Sequence, residues 1–155
     1  MSGSLVRIRP MVAVDLERVL EIAQSLKEAP HWPPDAYLAA LDPHNSPQRI
    51  ALVAEEAGAV AGFAVAILLP PQAELEMIAV AAESQRRGVA RQLFAALARE
   101  FVRAQITEVI LEVRASNRPA LGFYCSLGFQ KSGRRLRYYA DPIEDAVLMN
   151  LRGAE

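Results

Sequence analysis

The spacing of apolar side chains along the 155-residue chain changes period several times, and each change marks an element. Leu5 to Arg9 alternates apolar with basic residues, the two-residue period of a half-buried strand. Leu16, Val19, Leu20, Ala23 and Leu26 then recur at helical spacing, with Asp15 and Glu17 placed early, where carboxylates suit the positive end of a helix dipole. Pro30, Pro33 and Pro34 break that helix around His31 and Trp32. Asp35 to Leu41 supports one or two further helical turns before Pro43 and Pro47, so the stretch reads as a loop-rich flap. Arg49 to Glu55 and Val60 to Leu69 are β-like runs across a Glu56-Ala57-Gly58 turn, an antiparallel hairpin that Pro70 and Pro71 end. Glu74 to Val80 begins by alternating acidic with apolar side chains and finishes apolar, so its first half has one wet face and its end is buried.

From Gly88 to Ala104, Val89, Leu93, Leu97 and Phe101 recur every fourth residue beside Phe94 and Ala98. That pattern predicts a long amphipathic helix with Arg91, Arg99, Glu100 and Arg103 outside. A strand over Glu108 to Val113 follows, then a helix over Arg118 to Leu127. Asn117 and Pro119 suit the start of that helix, and Gly128 suits a left-handed cap at its end. Phe129 to Leu136 and Ala146 to Leu151 form a last antiparallel pair across a Tyr138 to Glu144 loop. Strand–helix–strand–helix order flanked by hairpins implies an α/β chain, a mixed sheet with helices on its faces. The length suits one domain over residues 1–155, and no repeat or low-complexity stretch interrupts it.

With 52% apolar and 23% charged residues, the composition excludes a disordered tail, a fibre and a disulfide scaffold. The 17 basic and 18 acidic side chains leave a formal net charge of −1, so no global attraction to nucleic acid or anionic lipid is expected. The longest apolar run, Ala59 to Leu69, is about half of the ~20 residues that span a bilayer, and Met1 to Pro10 lacks the apolar core of a secretory leader. A cytoplasmic location, no membrane partner and no nucleic-acid partner are the expectation. His31, His44 and the single Cys125 have no metal-ligand spacing, so no metal is expected, and Cys125 reads as a small core residue.

The chemistry is concentrated at Gln85-Arg86-Arg87-Gly88-Val89-Ala90, between a predicted strand and a predicted helix. Small residues at 88 and 90 let an anion approach the unpaired N–H groups of the first helical turn, and Arg86, Arg87 and Arg91 add positive charge. Neither the Gly-Lys-Ser/Thr ending of a nucleotide-triphosphate loop nor a Gly-x-Gly-x-x-Gly fingerprint is present, so another phosphate carrier is required.

This turn after a strand resembles the acyl-CoA pyrophosphate loop of the GCN5-related N-acetyltransferase (GNAT) superfamily. Within it, the chain is most similar to the ribosomal-protein-alanine N-acetyltransferases and their protein N-terminal acetyltransferase relatives. The similarity is carried by Ile78-Ala79-Val80, Gln85 to Arg91, Leu111-Glu112-Val113-Arg114-Ala115-Ser116-Asn117, Tyr124 to Phe129, Arg137-Tyr138-Tyr139 and Glu144-Asp145-Ala146. Ala90 stands where Gly is common, Ala81-Ala82-Glu83 replaces an Asp-Pro turn, and residues 1–73 match only in outline.

The resemblance implies the acyl-CoA N-acyltransferase fold, a six- to seven-stranded mixed sheet with helices on both faces, and acetyl-CoA as co-substrate without a metal. It implies that the pantetheine arm lies between two parting strands. There the main chain of Ile78, Ala79 and Val80 would bind its amides, Asn117 would add a hydrogen bond, and residues 85–91 would hold the diphosphate. Glu112 takes the general-base position and Tyr124 the position of the acid that protonates the departing thiolate. Glu74 and Glu76 are rival bases, Glu74 matching the base of histone-type enzymes. Tyr138 and Tyr139 match the loop that shapes a peptide N-terminus pocket. Trp32 and Tyr37 are its expected opposite wall, and Asp141, Glu144 and Asp145 are candidates to hold a cationic amine.

The expected reaction is acetyl transfer to a primary amine, most readily a protein N-terminal α-amine, with a ribosomal protein as the implied acceptor. An α-amine with pKa ~7.7–8 is neutral on the order of a tenth of the time at pH 7, and a lysine at ~10.4 well under a thousandth, a gap of roughly 3–4 kcal/mol. The alternatives are a small-molecule amine as acceptor, or a non-catalytic acyl-CoA-binding module.

Overall fold

A computed structural model describes residues 5–26 and 30–153; part of the N-terminal stretch read above for a leader lies outside the described residues. Seven strands form one sheet in the order β1-β2-β3-β4-β5-β7-β6. They are β1 (Val6–Pro10), β2 (Arg49–Glu56), β3 (Ala59–Leu69), β4 (Gln72–Val80), β5 (Glu108–Arg114), β6 (Gln130–Tyr139) and β7 (Glu144–Arg152). The helices are α1 (Leu16–Ser25), α2 (Pro34–Leu41), α3 (Val89–Arg103) and α4 (Arg118–Ser126). Among the described residues, no helix is long and apolar enough to cross a membrane.

Strand alternation divides the core into two layers. On one face Val53, Phe63, Val65, Met77 and Ala79 pack against Val19, Ile22 and Ala23 of α1 and Tyr37 and Ala40 of α2. On the other, Leu52, Ala64, Leu75, Leu111, Val113 and Met149 pack against Val89, Leu93, Leu97 and Phe101 of α3, with α4 at its edge through Leu121 and Tyr124. The helix patterns therefore marked true core faces. Ala57 (φ 54°) and Gly58 (φ 81°) both adopt the left-handed conformation, the requirement of the tightest two-residue hairpin turn.

Three rungs alone join β4 to β5, and they are parallel: Gln72 with Glu108, Ala73 with Val109, Glu74 with Ile110. Beyond them β4 stays paired with β3 as far as Val80 opposite Gly62, and β5 stays paired with β7 as far as Arg114 opposite Ala146. Each strand keeps its outer neighbour while the two part from each other. A bulge opposite Val65 and Ala66 pairs those residues with Met77 and Leu75, so Glu76 is the extra residue. It lets Leu75 serve one layer and Met77 the other.

Gly62 is required where it is, because a Cβ there would stand 2.8 Å from the Ala79 carbonyl oxygen. The close approach of β3 to the free stretch of β4 depends on that missing side chain.

The last hairpin differs from the sequence expectation. Tyr138 and Tyr139 end strand β6 rather than lying in a loop, and β7 already begins at Glu144. β6 is exposed along nearly all its length, so an apolar alternation that would have revealed its extent is absent.

Candidate active site

The parting of β4 and β5 leaves Leu75 to Val80 without backbone partners on the β5 side and Leu111 to Arg114 without partners on the β4 side. Unpaired buried amides and carbonyls cost about 1–3 kcal/mol each unless a ligand or water satisfies them, so the cleft favours an extended, amide-bearing occupant. Ile78, Ala79 and Val80 lie in that unpaired stretch of β4. Asn117 caps α4, its side-chain oxygen accepting from the Ala120 N–H at 3.2 Å. This is the structural one of its two expected roles.

The turn between β4 and α3 has the backbone conformation that suits an anion. Gly88 precedes α3 with φ 80°, and Arg86, two residues earlier, also adopts a left-handed φ of 65°. Such a conformation costs a non-glycine residue roughly 1–2 kcal/mol. Left-handed residues set close together turn successive N–H groups toward one concave side, an anion-binding nest ahead of the helix terminus. Gln85 braces the turn by donating to the Val80 carbonyl at 3.0 Å.

The arginines divide. Arg87 donates to Glu56 at 2.7 Å and Arg91 to the Ser126 hydroxyl at 2.8 Å, so both are also tied to neighbouring elements while adding positive charge around the turn. Arg86 has no hydrogen bond or ion pair among the described residues. Val89 is buried and Ala90 half-buried, and the small size of Ala90 keeps the helix start open.

Both β4 and β5 present carboxylates to the α1–α2 side of the sheet, around a pocket of about 360 Å³ lined by Glu74, Ile110, Leu111, Glu112, Ser132, Arg135, Tyr138, Leu148 and Met149. Glu112 is mostly buried and pairs with Arg135 Nε at 2.6 Å, not with the Arg114 or Arg118 that its sequence neighbourhood suggests. Arg114 instead bonds Glu144 at 3.3 Å.

Tyr138 also faces this site. The Arg135 guanidinium lies 5.4 Å from its ring centroid, and the charge of Glu112 together with its contact with the phenol pushes the Tyr138 pKa up. Glu74 is held above the ordinary carboxylate range, first by burial and then by the charges of Glu112 and Glu76. Glu76 is bound in a two-point pair by Arg49, at 2.8 and 3.1 Å, which removes it as a free base.

Tyr124 stands on α4 with its ring packed on Phe129, 5.7 Å between centroids, and burial pushes its phenol up to about 12. It keeps its proton at neutral pH, as a donor must.

Three expectations are corrected. Tyr37 is fully buried against Phe63, with its hydroxyl on the Met77 sulfur at 3.4 Å, so it belongs to the core and not to a substrate wall. Glu144 receives the Ser116 N–H, and Asp145 receives Arg134 at 2.9 Å and the Arg137 N–H at 2.9 Å, so both fasten the last hairpin. Cys125 is exposed rather than in the core. Trp32, half-buried, packs with its ring tilted against Tyr37 and lies under Arg49, 5.8 Å from ring centroid to guanidinium carbon, in keeping with its default reading as a hydrophobic anchor of the flap.

Arg135, Ser132 and Leu148 are site residues that sequence reasoning missed. Their only signal is the alternation of β6 and β7 about the register with β5, which becomes readable once the pairing is known.

Residues 16–129 match the model of the acetyltransferase (GNAT) family. The N-alpha-acetyltransferase RimI of Mycobacterium tuberculosis is 36% identical over 150 residues, covering 93% of this chain and 90% of that protein. The crystal structure of the ribosomal-protein-S18-alanine N-acetyltransferase from Escherichia coli superposes with a TM-score of 0.83 at 30% identity, covering 96% of this chain and 94% of that chain. Ard1 from Thermoplasma volcanium gives a TM-score of 0.85 at 30% identity, over 97% of this chain and 99% of that chain. The parted strands, the left-handed turn ahead of α3 and these relationships agree: the chain belongs to the GNAT family and is an acetyl-CoA-dependent N-acetyltransferase.

Proposed function

We propose that the chain acetylates the N-terminal α-amine of a protein, with a ribosomal protein beginning in alanine as the acceptor that its relatives' names point to. The observation that carries this reading is the pocket at the mouth of the β4–β5 gap. It has two carboxylates, Glu74 and Glu112, a tyrosine in its lining, and is partly open to solvent. A cytoplasmic enzyme in which residues 1–155 act as one domain is part of the same proposal.

Acetyl-CoA, when bound, supplies the thioester. In this proposal the main chain of Ile78, Ala79 and Val80 holds the pantetheine arm, and the turn from Gln85 to Arg91 holds the diphosphate through its backbone and Arg86. An N–H near Val80 polarises the thioester carbonyl. Glu112 takes one proton from the acceptor ammonium. The freed nitrogen lone pair forms the N–C bond as the C–S bond breaks, and Tyr124 donates its proton to the departing sulfur. The nitrogen gives its second proton to solvent, Glu112 releases to solvent the proton it took, and Tyr124 is restored from solvent.

The test is mass spectrometry of short peptides beginning in Ala, Ser or Met after incubation with acetyl-CoA, alongside a panel of small primary amines. One acetyl group on the α-amine of the Ala peptide is expected. Turnover of the small amines without any peptide product would overturn the protein-acceptor reading.

A further inference from the structure

Glu74 is distinguished by what it lacks. Its neighbours on the same sheet face are each provided with a cation: Glu76 with Arg49, Glu112 with Arg135 at 2.6 Å. Glu74 lies between those pairs with no hydrogen bond or ion pair among the described residues. The pocket lining therefore has two carboxylates against one guanidinium, one negative charge more than it balances. Position adds to charge. Glu74 sits on the last rung of the β4–β5 ladder, opposite Ile110, and Glu112 follows Ile110 by two residues on the same face. Both carboxylates line the same pocket, so one bound amine can lie between them.

Resting on the acceptor reading above, we infer that Glu74 is the positioning residue that receives the acceptor's protonated amine and presents it to Glu112. An α-amine with pKa ~7.7–8 arrives mostly as ammonium at neutral pH, so a site that captures only the neutral form would miss most of the acceptor. The Arg135 guanidinium marks where a cation is stable beside Glu112. An entering ammonium takes the equivalent place between the two carboxylates. The burial that holds Glu74 above the usual carboxylate range, together with the Glu112 and Glu76 charges, is relieved when that cation arrives. The charged and titratable groups facing Glu74 are Glu76 on β4, Arg49 on β2, Glu112 on β5, and Arg135 and Tyr138 on β6. The two cations among them are each ion-paired with another carboxylate, Arg49 with Glu76 and Arg135 with Glu112.

Steady-state kinetics of the full chain with an Ala-initiated peptide separate this role from that of a base. At pH ~6.5, Glu74→Gln is expected to raise the peptide KM roughly tenfold, with kcat within about twofold and the acetyl-CoA KM unchanged. At pH ~9, where the amine is mostly neutral, the penalty should shrink below about twofold. Glu74→Asp, which keeps the charge, should recover most of the loss. A peptide with its α-amine replaced by hydrogen should inhibit wild type and Glu74→Gln equally.

The inference is overturned by a penalty that does not change with pH, by an equal loss in Glu74→Asp, or by a fall in kcat at constant KM, which would make Glu74 the base. If wild type acetylates a small amine but no peptide, the protein-acceptor reading fails, and the same variants measured with that amine still decide the role of Glu74. A chain that acetylates no amine overturns both.

Discussion

Glu112 and Tyr124 lie on opposite layers of the sheet, one on the pocket face of β5 and the other on α4 packed into the α3 layer. A thioester held between the parted strands would have the base on one side and the proton donor on the other. Tyr124 at about 12 is a strong hydrogen-bond donor to the sulfur. Complete transfer to a thiolate whose thiol sits near ~8.5 runs uphill by roughly 3–4 pH units, so the proton moves as the C–S bond breaks and not before. Glu112→Gln keeps the shape and the contact with Arg135 but cannot accept a proton, so turnover of an Ala peptide should fall about 10²–10⁴-fold. Acetyl-CoA affinity, read by calorimetry, should stay within about threefold, since the substitution lies outside the phosphate turn. A Glu112→Gln protein with wild-type turnover would transfer the base role to another group. Short local motifs singled out Glu112 and Tyr124 in the sequence, and the fold places them on the pocket face of β5 and in the α3 layer. Arg135 was not legible there, because its partnership with Glu112 joins residues far apart in sequence through the β5–β7–β6 pairing.

At the scale of elements, the turn from Gln85 to Val89 decides whether donor binding is possible at all. Its place between β4 and α3 was legible in the sequence, since a small residue between a strand and an amphipathic helix is a local signal. The bonds of Arg87 and Arg91 to Glu56 and Ser126 were not, since those partners come from β2 and α4. The misplaced boundary at Tyr138 has a related cause: an exposed edge strand fixed by pairing with β7 has no burial pattern of its own. At Gly88 nothing lies within 4 Å of an added Cβ, so a side chain there meets strain and ligand rather than protein. Gly88→Asp combines a left-handed φ with a negative charge beside the diphosphate, and should weaken coenzyme A binding by at least about 100-fold in calorimetry. Gly88→Asn adopts the left-handed conformation with little strain and adds no charge, so it should retain affinity within about tenfold. Equal losses in the two variants would point to collapse of the turn, and retention in Gly88→Asp would remove the diphosphate from this site.

The whole molecule is a sheet in two parts. β1 to β4 rest on α1 and α2 on one face and on α3 on the other, while β5 to β7 close against α3 and α4, with three rungs between β4 and β5. α3 spans the seam, and a bound pantetheine arm would do so as well, by pairing with both free strand edges. Coenzyme binding should therefore stabilise the fold as a whole rather than only ordering a loop. At a concentration of about 100 times Kd the mass-action gain is ~2.7 kcal/mol. For a chain of this size each kcal/mol raises Tm by roughly 2–4 °C, so a rise of about 5–10 °C is expected by scanning calorimetry or fluorimetry. Glu112→Gln should show the full shift, because it leaves the seam and the turn intact. Gly88→Asp should show almost none at the same concentration. Hydrogen exchange localises the effect: amides of Leu75 to Val80 and Leu111 to Arg114 should slow on adding coenzyme A, more than those of β1 or β6. A thermal shift of normal size without slowing in those two segments would mean that the coenzyme binds elsewhere on the surface and that the gap between the strands is not its site.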